Sequence, residues 1–388
     1  MPIINSIAAL QDEFTRWRRD IHAHPELGFE EHRTAKFVAE KLESFGCDEV
    51  ATGIGRTGVV AVIRGRSDKS GKVIGLRCDM DALPIHETTG LEYASTNDGV
   101  MHACGHDGHT TMLLGAAKYL AETRNFDGTA VLIFQPAEEG RGGGREMVNE
   151  GMLDRFGIQK VYGMHNKPGM PLGSFAIRPG PLLAAADRIY ITVKGDGTHA
   201  AYPHLGRDPI VAASHIIIAL QSIVARNVDP LESAVITIGR IRGGDAGNVI
   251  PDSVKMIGTA RTFSTKIQDI VEARTIEIAE TTAHALGCEA EVTYKRDYPV
   301  TINDESETSF VADVARAVAG GEIDTRFPPS MGAEDFSFML NERPGAMIWI
   351  GNGDSANLHN PAYNFNDDII PAGVSYWAQL VEASMPTG

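Results

Sequence analysis

The side chains best suited to metal chemistry fall in one short segment, residues 101–109. It reads MHACGHDGH and offers four candidate ligands, Cys104, His106, Asp107 and His109. Thiolates and imidazoles are ligands suited to zinc and other late first-row metal ions. Cys104 and His106 are one residue apart, so both can face one ion only if the backbone turns between them, and Gly105 permits such a turn. The sequence therefore predicts a metal site in this segment, in a loop before the following helix.

A second segment, residues 135–140, contains two adjacent carboxylates, Glu138 and Glu139, directly after an apolar run and a proline. Adjacent carboxylates repel each other, so this placement indicates that cations compensate them. One carboxylate would bind a metal ion while the other stays free as a general base toward water. The alternative is a solvated surface pair, which is common where two glutamates are neighbours in a helix.

Two single histidines occur in similar settings. His165 follows a short apolar run, and His359 follows a glycine-rich loop. Alone, either would be interpreted as an ordinary core or loop histidine. Together with the first two segments they complete a set of one thiolate, three imidazoles and one or two carboxylates, which suits two divalent ions that share a bridging ligand. The ligand types permit Zn, Mn, Co or Ni.

Three polar side chains lie outside these segments, in the middle of the chain: His199, Asn248 and Arg261. His199 would donate to an oxyanion, Asn248 would hydrogen-bond a substrate, and Arg261 would bind a carboxylate in a bidentate fork. The alternative is plain loop chemistry, because Gly, Asp and Asn favour turns for backbone reasons. Spacing alone leaves both interpretations open.

The elements that must position these side chains alternate between helices and buried strands. We expect helices from Ser6 to Pro25, at about 30–45 and at about 110–123, with strands at 59–63, 72–78 and 129–135. The pattern resumes after Tyr298 with a helix near 305–318, a strand at 346–350 and a final helix after Pro371. Such alternation predicts an α/β fold with a mixed sheet flanked by helices, which binds ligands at loops beyond the strand ends.

From about Ala186 the pattern changes. Strands at 188–193, 234–241, 255–262 and 289–294 alternate with helices at 209–226 and 267–286. The order is β-α-β-β-α-β, which is typical of a ferredoxin-like α+β domain. We therefore predict a discontinuous catalytic, metal-binding domain (1–183 and 299–388) and an inserted domain (184–298).

The composition excludes several classes of function. The chain has 388 residues and a formal net charge of −16, which argues against binding nucleic acid or an anionic membrane surface. No run approaches the ~18 apolar residues of a membrane span, and the four cysteines are widely spread, so we expect a cytoplasmic protein without disulfides. The string Gly53-Ile-Gly55-Arg-Thr-Gly58 matches a dinucleotide fingerprint, but it precedes a strand where the motif must follow one, which disfavours a nicotinamide oxidoreductase.

Several long segments, in order, resemble the aminoacylase and carboxypeptidase-like family of dinuclear metal amidohydrolases. Within it the sequence is most similar to the hippurate hydrolase branch, which also includes plant auxin-conjugate hydrolases. The resemblance covers nearly the whole chain and rests on RRDIHAHPELGFEEHRTA, GLRCDMDALPI, MHACGHDGHT, FQPAEEGRGGGREMV, GMHNKPGMPLG, HAAYPH, GNVIPD, GAEDFSFML and LHNPAYNFND.

The resemblance implies a role for each candidate residue. Cys104 resembles the bridging ligand, at a position where other branches have aspartate, and Glu138 resembles the general base. Asp81 is expected to contact a metal ligand, rather than a metal ion, and so to orient that ligand. The inserted domain is expected to act as a lid and to form a homodimer, with His199 and Asn248 reaching substrate, in related enzymes from the neighbouring subunit. The remaining metal ligands implied by the resemblance are His106, Glu139, His165 and His359.

The expected activity is hydrolysis of an N-acyl or N-aroyl amino acid to a carboxylic acid and a free amino acid. Arg261, with Asn248, would hold the free carboxylate of this small-molecule substrate. A metallo-dipeptidase or carboxypeptidase is the nearest alternative, because it needs the same metals and differs only in the shape of its pocket. A metal-stabilised binding protein without turnover would keep the ligands but lose the base, and Glu138 is present.

Overall fold

The computed structural model describes residues 3–387 and divides the chain into two compact units. The first unit comprises Met1–Leu182, Ile302–Pro328 and Asp335–Gly388, and the second comprises Leu183–Thr301 and Pro329–Glu334. The interpretation of the middle of the chain as a ferredoxin-like lid and dimerisation domain stays a prediction.

The helices and strands are numbered in chain order. The helices are α1 (Asn5–Ala8), α2 (Gln11–Ala23), α3 (His32–Ser44), α4 (His106–Thr123), α5 (Glu138–Arg141), α6 (Gly143–Asn149), α7 (Met152–Arg155), α8 (Pro209–Ser222), α9 (Thr265–Ala285), α10 (Glu305–Ala319), α11 (Ser337–Glu342) and α12 (Ile370–Ser384). The strands are β1 (Glu49–Ile54), β2 (Gly58–Arg64), β3 (Val73–Asp79), β4 (Thr129–Gln135), β5 (Lys160–Lys167), β6 (Phe175–Ala176), β7 (Gly180–Leu183), β8 (Ala185–Lys194), β9 (Thr198–His199), β10 (Ala234–Arg242), β11 (Val249–Ile250), β12 (Ser253–Thr262), β13 (Glu289–Tyr298), β14 (Thr301–Asn303) and β15 (Gly345–Gly351).

A seven-stranded mixed sheet forms the core of the first unit, in the order β1-β2-β4-β3-β5-β15-β6. The four central strands β4, β3, β5 and β15 run parallel, and the edge strands pair antiparallel. The central strands are buried along almost their whole length because helices cover the sheet. Helix α4 packs against α12, α2 and β3. The predicted mixed sheet flanked by helices is confirmed.

The second unit contains a four-stranded antiparallel sheet in the order β10-β12-β8-β13. Helices α8 and α9 pack on it and on each other. Residues of β8 and β12 alternate between buried and partly exposed, as expected for a sheet with one covered face. The buried side chains of this unit form a separate apolar core that includes Ile191, Ile216 and Val271.

One described helical stretch, Pro209–Asn227, is long and apolar enough to cross a membrane by length and composition alone. A third of its most apolar window is buried inside the fold, where Ala212, Ile216 and Leu220 pack in the core of the second unit. Core helices pass the same test, so the finding carries no argument for a membrane span.

The expected elements differ from the observed ones at a few boundaries. Strand β4 occupies the predicted range, whereas the first helix is broken into α1 and α2, and the edge strand β1 was not predicted. Helix α4 begins at His106 rather than near Thr110, so His106, Asp107 and His109 lie on its first turn and not in a loop. The glycine string at 53–58 forms the turn between β1 and β2, which confirms that it is no dinucleotide motif.

Candidate metal centre

The segments with candidate ligands meet at the carboxyl ends of the four parallel strands. Asp81 follows β3, Glu138 and Glu139 follow β4, His165 lies near the end of β5, and His359 lies in the loop after β15. Loops beyond the carboxyl ends of parallel strands meet at one edge of the sheet, which is the usual ligand-binding edge of such folds. The topology thus explains how residues far apart in sequence form one cluster.

The donor atoms form two triads that share Cys104. In each triad all donor atoms lie within 4.8 Å of one another. One triad comprises Cys104, His106 and His165, and the other comprises Cys104, Glu139 and His359. The Cys104 Sγ lies 3.4 Å from the His165 Nε2, and the His359 Nε2 lies 3.1 Å from the Glu139 Oε1. A shared thiolate between two sets of ligands is the arrangement that a pair of metal ions with one bridging ligand requires.

Gly105 makes this arrangement possible. Its φ is +92°, a left-handed conformation that favours glycine, and it begins helix α4 directly after Cys104. A Cβ at this position would lie 2.4 Å from the Asn166 Oδ1 and 2.7 Å from the Tyr363 hydroxyl oxygen. The backbone N–H of His359 donates to the Ala103 carbonyl at 2.7 Å, which ties the loop after β15 to this turn.

Backbone and carboxylate acceptors orient the two buried histidines. The His106 Nδ1 lies 2.9 Å from the Asp81 carbonyl oxygen and 3.2 Å from the Asp81 Oδ1. The His165 Nδ1 lies 2.7 Å from the Asn166 carbonyl oxygen. In each case Nε2 is directed into the cluster, and the buried Nε2 of His106 has no hydrogen-bond partner within residues 3–387. A buried imidazole nitrogen that lacks a hydrogen-bond partner and faces a thiol and carboxylates is suited to bind a metal ion.

The electrostatics of the cluster also favour a cation. Hydrogen bonding to Cys104, then to Glu139, raises the pKa of His359 to about 10. Burial raises the pKa of the Cys104 thiol, and the Glu139 carboxylate raises it further. The protein thus places two acidic groups where a positive charge stabilises both, as a divalent ion would.

Two of the four candidates in the 101–109 segment have other partners. The His109 Nδ1 lies 2.6 Å from the Asp79 Oδ1, and its Nε2 lies 2.8 Å from the Asn166 Oδ1. The Asp107 Oδ2 lies 2.7 Å from the His22 Nδ1. These contacts occupy both ring nitrogens of His109, so its ring lies beside the ligand cluster without offering a free nitrogen to a metal ion.

Sequence reasoning missed the charged residues that hold the loop after β4. Arg77 and Asp335 form a buried ion pair at 3.0 Å, and the Asp335 Oδ2 accepts the Gly144 N–H at 2.8 Å. The Asp335 backbone N–H points to the Glu138 Oε1 at 3.4 Å. Arg77, a charged residue within the buried strand β3, was the signal that would have found this network.

The polar residues of the second unit form a different arrangement. His199 in β9 pairs with Val249 in β11, and the Asn248 carbonyl accepts the Ala200 N–H at 3.0 Å. His199 and Asn248 are exposed and line one open cavity of about 470 Å³. The structure does not bring Arg261 to this cavity. Arg261 lies near the opposite end of β12, and its Nη1 donates to the Ala260 carbonyl at 3.0 Å.

Known proteins resemble this chain along nearly its whole length. The hippurate hydrolase of Campylobacter jejuni is 44% identical over 385 residues, which cover 98% of each chain. The N-acetyl-L-cysteine deacetylase of Bacillus subtilis is 42% identical over 94% of this chain and 86% of its own length. A solved Bacillus subtilis structure, described as a dinuclear metal binding peptidase from the M20 family, has a TM-score of 0.86 and 36% identity, covering 98% of this chain and 99% of its own.

The sequence model of peptidase family M20/M25/M40 matches residues 75–383 of this chain. That range contains both ligand triads and most of the mixed sheet. The chain therefore belongs to peptidase family M20/M25/M40.

Proposed function

We propose that this protein hydrolyses the amide bond of N-acyl or N-aroyl amino acids and needs two divalent metal ions to do so. The observation that carries the proposal is the pair of ligand triads that share Cys104, with Glu138 beside them. The relatives named hippurate hydrolase and N-acetyl-L-cysteine deacetylase support an amide of an acylated amino acid as substrate.

Five side chains would hold the ions. We assign Cys104 as the bridging ligand and the other members of the two triads as terminal ligands, with Asp81 behind His106. When bound, the two ions would polarise the acyl carbonyl and lower the pKa of water. The ligand chemistry permits Zn, Mn, Co or Ni.

Glu138 would act as the general base. It is buried, it lies within the same cluster as His106 and Glu139, and the Asp335 backbone N–H holds one of its oxygens. From this position Glu138 takes a proton from the attacking water and passes it to the nitrogen of the leaving amino acid. His199 would stabilise the oxyanion, and Arg261 would hold the substrate carboxylate. Because Asn248 lies away from Arg261 within one chain, Asn248 would join it at the same carboxylate only from the neighbouring subunit.

We also propose that the protein forms a homodimer through its second unit and that it acts in the cytoplasm. Strand β10 is an edge strand of its sheet, so one side of its backbone is available to pair with another chain. Edge pairing with a second copy would be isologous. Apolar side chains lie exposed on this strand, on α8 and on the short strand β11, and they include Ile210, Val211, Ile218, Val235, Ile241 and Val249.

A dipeptidase on the same scaffold is the alternative, favoured by the likeness to the solved structure described as a peptidase. An activity screen separates the two. The metal-reconstituted protein should be assayed against N-acetyl, N-benzoyl and indole-acetyl amino acids beside plain dipeptides. We expect the largest kcat/KM with an N-acylated amino acid, and a preference for plain dipeptides would contradict the proposal.

A further inference from the structure

The loop that carries the two glutamates, residues 136–144 (the carboxylate loop), has a strained residue at its second position. Ala137 has φ +53° and ψ +44°, a left-handed conformation that is unfavourable for a residue other than glycine. Ala137 is fully buried. Such a conformation persists only where surrounding contacts hold it, and here it sets the direction in which Glu138 and Glu139 leave the backbone.

Glu31 supplies the contact. Its Oε1 accepts the Ala137 N–H at 2.8 Å, and its Oε2 accepts the Thr57 hydroxyl at 2.5 Å. Glu31 is fully buried and lies immediately before helix α3, far from the carboxylate loop in sequence. Hydrogen bonds from backbone N–H groups to a carboxylate are among the stronger ones in proteins.

The residues just before Glu31 hold the same loop. The Gly28 carbonyl accepts the Arg141 Nη1–H at 2.6 Å. A Cβ on Gly28 would lie 2.9 Å from the Ala137 Cα, so the two backbones are in close contact. The N-terminal segment 28–31 therefore contacts the carboxylate loop at two points on either side of the glutamates.

The position of Glu31 is unfavourable for a charged carboxylate. Burial, and then the nearby charge of Asp81, raises the pKa of Glu31 to about 7, so its charged form is unfavourable there. An apolar residue would avoid this cost but would leave the buried Ala137 N–H without the acceptor that Glu31 supplies. Glu31 thus places a carboxyl group where burial disfavours its charge and where its oxygen accepts the N–H of the turn before the general base.

We infer that Glu31 is a positioning residue for the metal centre: its hydrogen bond to Ala137 fixes the turn that places Glu138 as base and Glu139 as ligand. Because Glu31 is outside the ligand triads, it acts through the backbone of the loop. The inference rests on the proposed function for its catalytic consequence, but the clamp itself is testable without activity.

Hydrogen–deuterium exchange of the metal-free protein tests the clamp directly. Glu31→Ala should accelerate exchange of a peptide covering 136–142 by about tenfold or more, while a peptide from β4 stays unchanged. Glu31→Gln keeps an oxygen acceptor for Ala137 and should stay close to wild type. The neighbouring Glu30 is exposed, and Glu30→Ala is the matched control. Unchanged exchange in Glu31→Ala, or equal acceleration in β4, would overturn the clamp.

Thr57→Val covers the case in which Glu31→Ala does not fold. It removes the bond to the Glu31 Oε2 but leaves the carboxylate in place. We expect exchange in the 136–142 peptide between the rates of wild type and a fully released loop. A rate equal to that of wild type would count against the inference.

Kinetics of the metal-loaded enzyme test the consequence. A misplacement of about 1 Å can cost roughly 10²-fold in rate, so Glu31→Ala should lower kcat about a hundredfold, with KM within about threefold of wild type. Glu31→Gln should recover most of kcat. If exchange accelerates in Glu31→Ala while kcat is unchanged, the loop position is not needed for turnover and the inference is wrong. If wild type hydrolyses no N-acyl amino acid, the proposed function fails, and the exchange experiment still decides the clamp.

Discussion

The two groups of predicted site residues differ in how the fold holds them. In the first unit Cys104 and His106 are buried, and the carbonyl and carboxylate oxygens of Asp81 accept the hydrogen bond that orients the His106 ring. In the second unit His199 and Asn248 stand exposed on a short two-stranded ribbon. A set that is mostly buried, in which His359 is the one exposed ligand of the two triads, is organised by its own unit, whereas a wholly exposed pair takes its role from what docks on it. Metal binding and substrate contact should therefore be separable by mutation.

The largest effect should come from the base. Glu138→Gln keeps the shape of the side chain and removes proton transfer, which is worth about 10²–10⁴ in rate, and it should leave metal content nearly intact. Glu139→Ala removes a ligand and should lower metal content as well as activity. The test measures the kcat of both variants and, by elemental analysis, their metal content. Equal metal loss in the two variants would show that the assignment of Glu138 as base and Glu139 as ligand is wrong.

A variant at His199 tests the role of the exposed residues of the second unit. As an oxyanion donor it should be worth about 10²–10³ in kcat, with metal content unchanged in His199→Ala. If His199 completes the site of the partner subunit, two inactive variants should complement each other. Random exchange of equal amounts of Glu138→Ala and His199→Ala chains should restore roughly a quarter of the wild-type sites. Confirmed exchange without regained activity would show that His199 acts within its own chain or not at all.

Variants at Cys104 test whether the two metal ions share one ligand. Because it belongs to both triads, Cys104→Ala should reduce the content of both ions, whereas His359→Ala should reduce it by one. Cys104→Asp offers a bridging carboxylate of similar reach and should retain more metal than Cys104→Ala. Elemental analysis after reconstitution measures this. Equal metal content in Cys104→Ala and His359→Ala would contradict a shared ligand.

We expect the smallest effect from His22, a buried residue that contacts Asp107 in the first turn of helix α4. Burial alone would lower the pKa of His22, but bonds to Asp107 and Glu87 raise it to about 9. The contribution of His22 is therefore complete below pH 6.5 and is lost as pH rises through 9, with an upper bound on the order of 3 kcal/mol. Arg18 and His102 also face this group, and the pKa values of Asp107 and Glu87 are lowered, so both carboxylates stay ionised in this window.

Thermal unfolding of the metal-free protein from pH 6 to 10 measures this contribution. The midpoint should fall more steeply for wild type than for His22→Asn. His86 is exposed, and His86→Asn is the matched control. Parallel curves for wild type and His22→Asn would show that His22 titrates alike in the folded and unfolded chain.

Sequence reasoning found the residues whose types cluster and missed those that act one at a time. Strand β4 and the members of both triads were predicted, because apolar runs and dense groups of Cys, His and Glu are visible locally. Glu31 and Asp335 were missed because each stands among ordinary polar residues, and only the fold brings it to the carboxylate loop. Strand β1 was missed because an exposed edge strand with a glycine carries little apolar pattern.

The measurement closest to the central claim is metal stoichiometry taken together with turnover. The reconstituted protein should bind two divalent ions per chain, hydrolyse an N-benzoyl or N-acetyl amino acid, and lose that activity on treatment with a chelator. Restored metal should restore the rate. Fewer than one ion per chain after reconstitution, or hydrolysis that persists in the chelated protein, would contradict the account.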